Sequence, residues 1–146
     1  MKHSFFLLVL ILTLGSCMTS NDYVVMDKVS DESKTITVEP GSNPFMMSLK
    51  RILASNGWTI EVFAGAKVTT IEEGIETESD TFNTKYVLTS DYNYGKDVVL
   101  GDFLSHYSIT IIDVETRSEV LLMNGNKMRL KAFESNFEEA ISGLSN

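Results

Sequence analysis

Few residues of this 146-residue chain are equipped for acid–base, nucleophilic or metal chemistry. It holds two histidines, His3 and His106, and one cysteine, Cys17. A histidine catalyses when a nucleophile, a carboxylate or a metal stands within reach of its ring. Ser105 and Ser108 lie close to His106 in sequence. Near neighbours on one strand do not form a triad, so His106 reads as a loop-end or strand-edge residue. Asp91, Asn93, Gly95, Asp97 and Asp102 fall at positions 1, 3, 5, 7 and 12 of a calcium loop. Such a loop needs Gly at position 6 and a bidentate Glu at position 12; here they are Lys96 and Asp102. Asp91 to Gly101 is therefore expected to be a plain hairpin loop. Gly65 and Gly74 lack the spacing and the Lys–Ser/Thr partner of a phosphate-cradling loop. Glu72, Glu73, Glu76, Glu78 and Asp80 read as a solvated acidic face rather than a cation site. No catalytic residue, no metal ligand and no cofactor is assigned.

Cys17 stands apart because of what precedes it. Lys2 opens the chain, an apolar run follows from Phe5 to Leu14, and the run closes on Leu14-Gly15-Ser16-Cys17. The run is about ten residues long, half of the roughly 20 that a membrane-spanning helix needs. It fits the apolar centre of a secretory signal. The four closing residues resemble the lipobox of bacterial lipoprotein signal peptides. That resemblance implies export, acylation of Cys17 and cleavage just before it. Residues 1–16 are then the signal peptide, 17–22 the acylated cysteine and its tether, and 23–146 one domain. Met18 follows the cysteine, where an Asp would imply inner-membrane retention. The resemblance thus implies an outer-membrane lipoprotein facing the periplasm, held by acyl chains as an anchor and not as a span.

Charge narrows the partners. The chain carries twelve Lys+Arg and twenty Asp+Glu, a net charge of −8. Lys2 is the sole charged residue of the signal, so the remainder carries 11 against 20, or −9. Nucleic-acid binding rests on Lys and Arg neutralising phosphates, so no nucleic-acid partner is expected. General electrostatic docking on anionic lipid is disfavoured for the same reason. With one cysteine, no intramolecular disulfide is available, and the domain must be stabilised by its core.

The elements that must position any site follow from periodicity. Tyr23 to Val29 is a short strand or lead-in. Thr35 to Glu39 alternates and is β-branched, which predicts a strand ended by Pro40-Gly41. Asn43-Pro44 pairs an N-cap with a first-turn proline. Phe45, Leu49, Ile52 and Leu53 then share one helical face, and Asn56-Gly57 supplies a left-handed cap. The pattern predicts a helix over 44–55. Trp58 to Phe63 alternates again, with Trp58, Ile60 and Val62 on one face, so strand–helix–strand suggests a βαβ-like unit. Gly65 to Asn83 reads as a weak helix or an irregular connection. Thr84 to Ser90 is a strand. Tyr107 to Val114 is the most apolar strand and is expected to be central. Glu115-Thr116-Arg117 turns the chain, Glu119 to Met123 returns antiparallel, and Asn124-Gly125 stops it. Leu130, Phe133, Phe137, Ala140, Ile141 and Leu144 predict a final helix, with Gly143 as its cap. The fold class expected is α+β: a single domain with a mixed, mostly antiparallel sheet of about four or five strands. Two helices are expected to pack on one face.

The stretch Tyr86 to Leu122 (YVLTSDY, a loop, then YSITIIDVETRSEVLL) resembles a segment of several bacterial envelope lipoproteins. These include the curli-secretion lipoprotein and the lipoprotein activators of penicillin-binding proteins. FMMSLKRILASNGWTIEV is similar to their helix–Gly–strand element. The resemblance implies an anticodon-binding-like α/β fold, also seen in the N-terminal domain of the Tol-system translocation protein. It transfers no catalytic residue. Arg117-Ser118 stands where those hairpins carry Gly, so this turn must avoid a positive φ or hold one at some cost.

The remaining functional signal is aromatic. Tyr86, Tyr92, Tyr94, Phe103 and Tyr107 cluster around the 91–106 connection. Exposed tyrosines give contact area at low entropic cost, which makes Tyr92, Tyr94 and Phe103 the candidate partner contact. The expectation is a non-enzymatic binding or assembly component of the cell envelope, with an envelope protein as partner. The competing class is a small envelope hydrolase or cell-wall accessory enzyme; a carrier of a small molecule beneath the helices is a third. The pattern carries no signal of oligomeric state.

Overall fold

The computed structural model describes residues 21–63, 65, 67–72, 75–80, 82–99 and 101–145. The signal sequence and Cys17 lie outside the described residues. Eight strands and two α-helices follow in order: β1 (Asn21–Val25), β2 (Thr35–Val38), α1 (Pro44–Ser55), β3 (Thr59–Val62), β4 (Lys67–Glu72), β5 (Ile75–Asp80), β6 (Tyr86–Asp97), β7 (Gly101–Asp113), β8 (Glu119–Arg129) and α2 (Leu130–Gly143). Six strands form one mixed sheet in the order β1-β8-β7-β6-β2-β3, and β4-β5 pair separately. The β1–β8, β8–β7 and β7–β6 pairings are antiparallel, and β6–β2 and β2–β3 are parallel. The α+β class and the two helices are as expected, while the main sheet is wider than four or five strands.

Helix α1 begins where its sequence directs. The Asn43 side chain accepts the Met46 backbone N–H at 2.9 Å, and Pro44 occupies the first turn. Gly57 beyond its end takes φ +82°, a conformation only glycine adopts freely. Phe45, Met46, Leu49, Ile52 and Leu53 are buried. β2 and β3 flank α1 in sequence and pair in parallel, which is the βαβ unit that the pattern suggested. Val62, however, is 51 % exposed, at the end of β3, an edge strand of the sheet.

Four boundaries differ from expectation. First, 67–72 and 75–80 are paired antiparallel strands, neither a helix nor an irregular connection, with Lys67 opposite Asp80 and Glu72 opposite Ile75. Their Thr-rich, β-branched composition favours extended backbone. Second, β6 and β7 run on through the expected 91–101 loop, and Asp97 pairs with Gly101. Third, β8 passes through Asn124-Gly125 and ends at Arg129. Gly125 serves close approach, not a turn: a Cβ there would stand 2.5 Å from the Tyr107 hydroxyl oxygen across the strand pair. Fourth, Gly143 is the last helical residue of α2 and Leu144 caps it in a right-handed conformation.

The β7–β8 turn holds the expected conflict. Arg117 takes φ +57°, which costs a non-glycine residue roughly 1–2 kcal/mol. Asp113 offsets this. Its carboxylate accepts the N–H groups of Glu115 at 2.9 Å and Thr116 at 3.0 Å, and its carbonyl accepts Arg117 N–H at 2.8 Å. Foremost the Thr116 N–H, then that of Glu115 and the Lys85 ammonium, hold the Asp113 carboxyl below its ordinary range. Two outcomes are expected. Arg117→Gly should raise stability by about 0.5–1 kcal/mol, relief of the left-handed strain less the added chain entropy; an unchanged or lowered urea midpoint contradicts it. For Asp113, a lowered folded pKa means its contribution is complete above the unfolded value, near 3.9, and is lost as pH falls through the folded value. Asp113→Asn should therefore melt below the wild type at pH 7, with the gap closing at acidic pH.

Candidate functional site

Register assigns each candidate residue to a face. Tyr92 pairs with Tyr107 and Tyr94 with Leu104, so both tyrosines point inward, beneath the helices. Tyr92 is half-buried, its ring 4.3 Å from that of Phe45. Its hydroxyl accepts the Asn43 amide at 2.7 Å, so the residue that caps α1 also locks Tyr92. Tyr94 is half-buried and donates its hydroxyl to Asp102; that carboxylate raises its pKa above the ordinary value. Phe103 pairs with Gly95 and falls on the opposite face. The three aromatics are not gathered on an exposed loop. They alternate along two strands, and two of them pack against the core.

His106 lies on the outer face, paired with Asn93 and Asn126. Its side chain is half exposed, and its Nε2 stands 3.9 Å from the Asp91 carboxylate, which is 85 % exposed. Ser105 donates to the Asn93 carbonyl, and Ser108 stands opposite Asp91 in the strand register. The five calcium-loop positions also fail to converge. Asp91 and Asn93 stand in line along β6, Asp97 accepts the Val99 N–H, and Asp102 accepts Tyr94. Among the described residues no three His, Cys, Asp or Glu side chains gather as a metal site, and no helix is long and apolar enough to cross a membrane.

The outer face is the surface that sequence reasoning missed. Thr37, Val87 and Ile112 lie across it at one end, next to a row of Thr89, Thr110, Leu122 and Val24. Phe63 and Phe82, at the two roots of the β4–β5 hairpin, stand with ring centroids 5.5 Å apart. With Thr37, Glu39, Val87 and Thr89 they line a cleft of about 140 Å³. The half-buried apolar positions alternate with inward core residues in β6 and β7, and that alternation marked them as the second face of a central strand.

No family model and no curated protein matches the chain. Solved structures do resemble it. Two of the PelC dodecamer from Paraburkholderia phytofirmans share 15 % and 14 % identity with it. Each alignment covers 87 % of this chain and 94 % of the other, with a TM-score of 0.47. A minor lipoprotein from Acinetobacter baumannii shares 14 % identity, over 77 % of this chain and 84 % of that one, with a TM-score of 0.30. These scores are too low to carry a function across.

The placement of Tyr92 yields a direct expectation. Tyr92→Ala removes a ring from the Phe45 contact and the partner of Asn43. It should cost about 2 kcal/mol, less than the roughly 3–5 of a fully buried aromatic, while Tyr92→Phe should cost about 1 kcal/mol for the hydrogen bond. Urea midpoints of both variants check the pair; an unaltered midpoint for Tyr92→Ala would mean the ring contributes no packing.

Proposed function

We propose that the chain is an envelope lipoprotein whose domain binds a protein partner and performs no catalysis of its own. The observation that carries the reading is Leu14-Gly15-Ser16-Cys17 at the end of an apolar run, with β1 beginning at Asn21, four residues after the cysteine. A fold that starts so soon after the acylation site is suited to work at a membrane surface. The outer membrane, with the domain facing the periplasm, is the location the residue after Cys17 supports.

The partner surface we favour is the β3 edge with the adjoining outer face. β3 pairs with β2 on one side, and its last residue, Val62, is exposed. An extended segment of an envelope protein can add to such an edge through main-chain hydrogen bonds and seat a side chain in the cleft at Phe63 and Phe82. Tyr92 and Tyr94 are better suited to supporting the core than to meeting this partner.

The anchor is tested by Cys17→Ala. The wild type should fractionate with membranes, and its N-terminal peptide should carry the mass of acyl chains. The variant should accumulate as an uncleaved or soluble form. Membrane fractionation unchanged in the variant refutes the anchor. Photocrosslinking from Val62 in intact envelopes tests the edge: a discrete adduct with an envelope protein is expected, and its absence removes the β3 surface.

A further inference from the structure

The most exposed apolar side chains of the described residues are Val98 and Val99, 103 % and 86 % exposed. They sit at the tip of the β6–β7 hairpin, where Asp97 pairs with Gly101. The Asp97 carboxylate accepts the Val99 N–H at 2.7 Å, which shapes the turn and leaves both valines outward. Single exposed apolar residues are common on soluble proteins. Two in succession at the apex of the longest hairpin stand out because of where the chain enters the fold.

Asn21 pairs with Gly125, and Gly125 with Tyr107. β1 traced back toward its N-terminus therefore runs in the direction of the β6–β7 tip. From Tyr107 to Gly101 is about 20 Å at the usual strand rise. From Asn21 back to Cys17 the chain can reach about 14 Å at full extension. With the strands upright on a membrane, even a fully extended tether would leave the tip about 6 Å past the level of Cys17. That overshoot matches the depth of roughly 5–10 Å at which apolar side chains rest in the bilayer interface. The charge around the tip agrees. Lys96, Lys127, Arg129 and Lys131 are exposed near this end, against Asp97, Asp102 and Glu134, although the whole chain carries −8.

We propose that the β6–β7 tip, through Val98 and Val99, is a second membrane contact that enters the interface of the bilayer holding the Cys17 acyl chains. This rests on the anchor proposed above. Two attachment points, one at the N-terminus of β1 and one at the tip, would fix the sheet upright and present the β3 edge and the outer face sideways.

The test uses the full chain, processed in cells and reconstituted in vesicles of phosphatidylethanolamine and phosphatidylglycerol. Once Cys17 is acylated, Val99→Cys supplies the one thiol for an environment-sensitive fluorophore. Glu119→Cys supplies the control at the other end of the sheet, about 20 Å beyond Asn21 in the opposite direction. The Val99 label should shift to the blue and lose most of its emission to a lipid-borne quencher, while the Glu119 label does neither. Adding Val98→Asp should return the Val99 label to aqueous emission. A Val99 label that stays aqueous on acylated protein overturns the tip contact and leaves the anchor standing. Quenching at Glu119 instead overturns the orientation and with it the proposal. Protein whose N-terminal peptide lacks acyl mass overturns the anchor and the inference that rests on it.

Discussion

Phe133 is where the layers of this domain meet. Its ring lies 5.0 Å from Phe45 of α1, 4.9 Å edge-on from Tyr107 of β7 and 5.7 Å from Phe137 of its own helix. It is wholly buried. The two helices cover a single sheet face, so their separation and their height above the sheet are set together by what fills the junction. Interiors are packed as densely as crystals, and a ring that touches all three elements leaves little freedom to any of them. The Gly125 site follows from this: Tyr107 lies across the neighbouring strand and still meets Phe133 because position 125 carries no Cβ.

Polar groups then fix what the apolar contacts leave free. Glu134, one residue on, accepts hydrogen bonds from Ser48 and Arg51. Those bonds set the rotation of α1 against α2. Asn43 joins the start of α1 to Tyr92, and Asp113 organises the β7–β8 turn around a strained Arg117. Each group bonds main chain or a side chain from a distant element. Each therefore specifies an arrangement rather than merely adding stability, since a buried group left without its partner is costly.

These constraints give the domain a long axis. β6, β7 and β8 are the longest strands, and they continue past the start of β1. One end of the sheet is the β7–β8 turn, tied by Asp113; the other is the exposed Val98–Val99 tip. A tether entering through β1 selects the second end as the one facing its attachment. The proposed anchor, the tip and the β3 edge thus belong to one geometric account of a domain held upright, with its binding surface free of the membrane.

Helix α1 was legible from the chain itself. A cap residue, a first-turn proline and apolar residues three and four apart act within one or two turns, so Asn43, Pro44 and Leu49 predict their structure without reference to any distant residue. The same locality holds for α2 and for the turn that makes Arg117 costly. Strands are different because their partners are remote in sequence. Asp91 to Asp97 looked like a loop because Asp, Asn and Gly hold its outer positions; only pairing with β7 shows Tyr92 and Tyr94 turned inward. Asn124-Gly125 reads as a stop in the sequence, and only the register with β7 sets Tyr107 against Gly125. The direction of Val98–Val99 relative to Asn21 was likewise unreadable, because it depends on a register passed from β1 through β8 to β7. A slip of one residue there would exchange the two faces of the sheet, and that choice belongs to the assembled core.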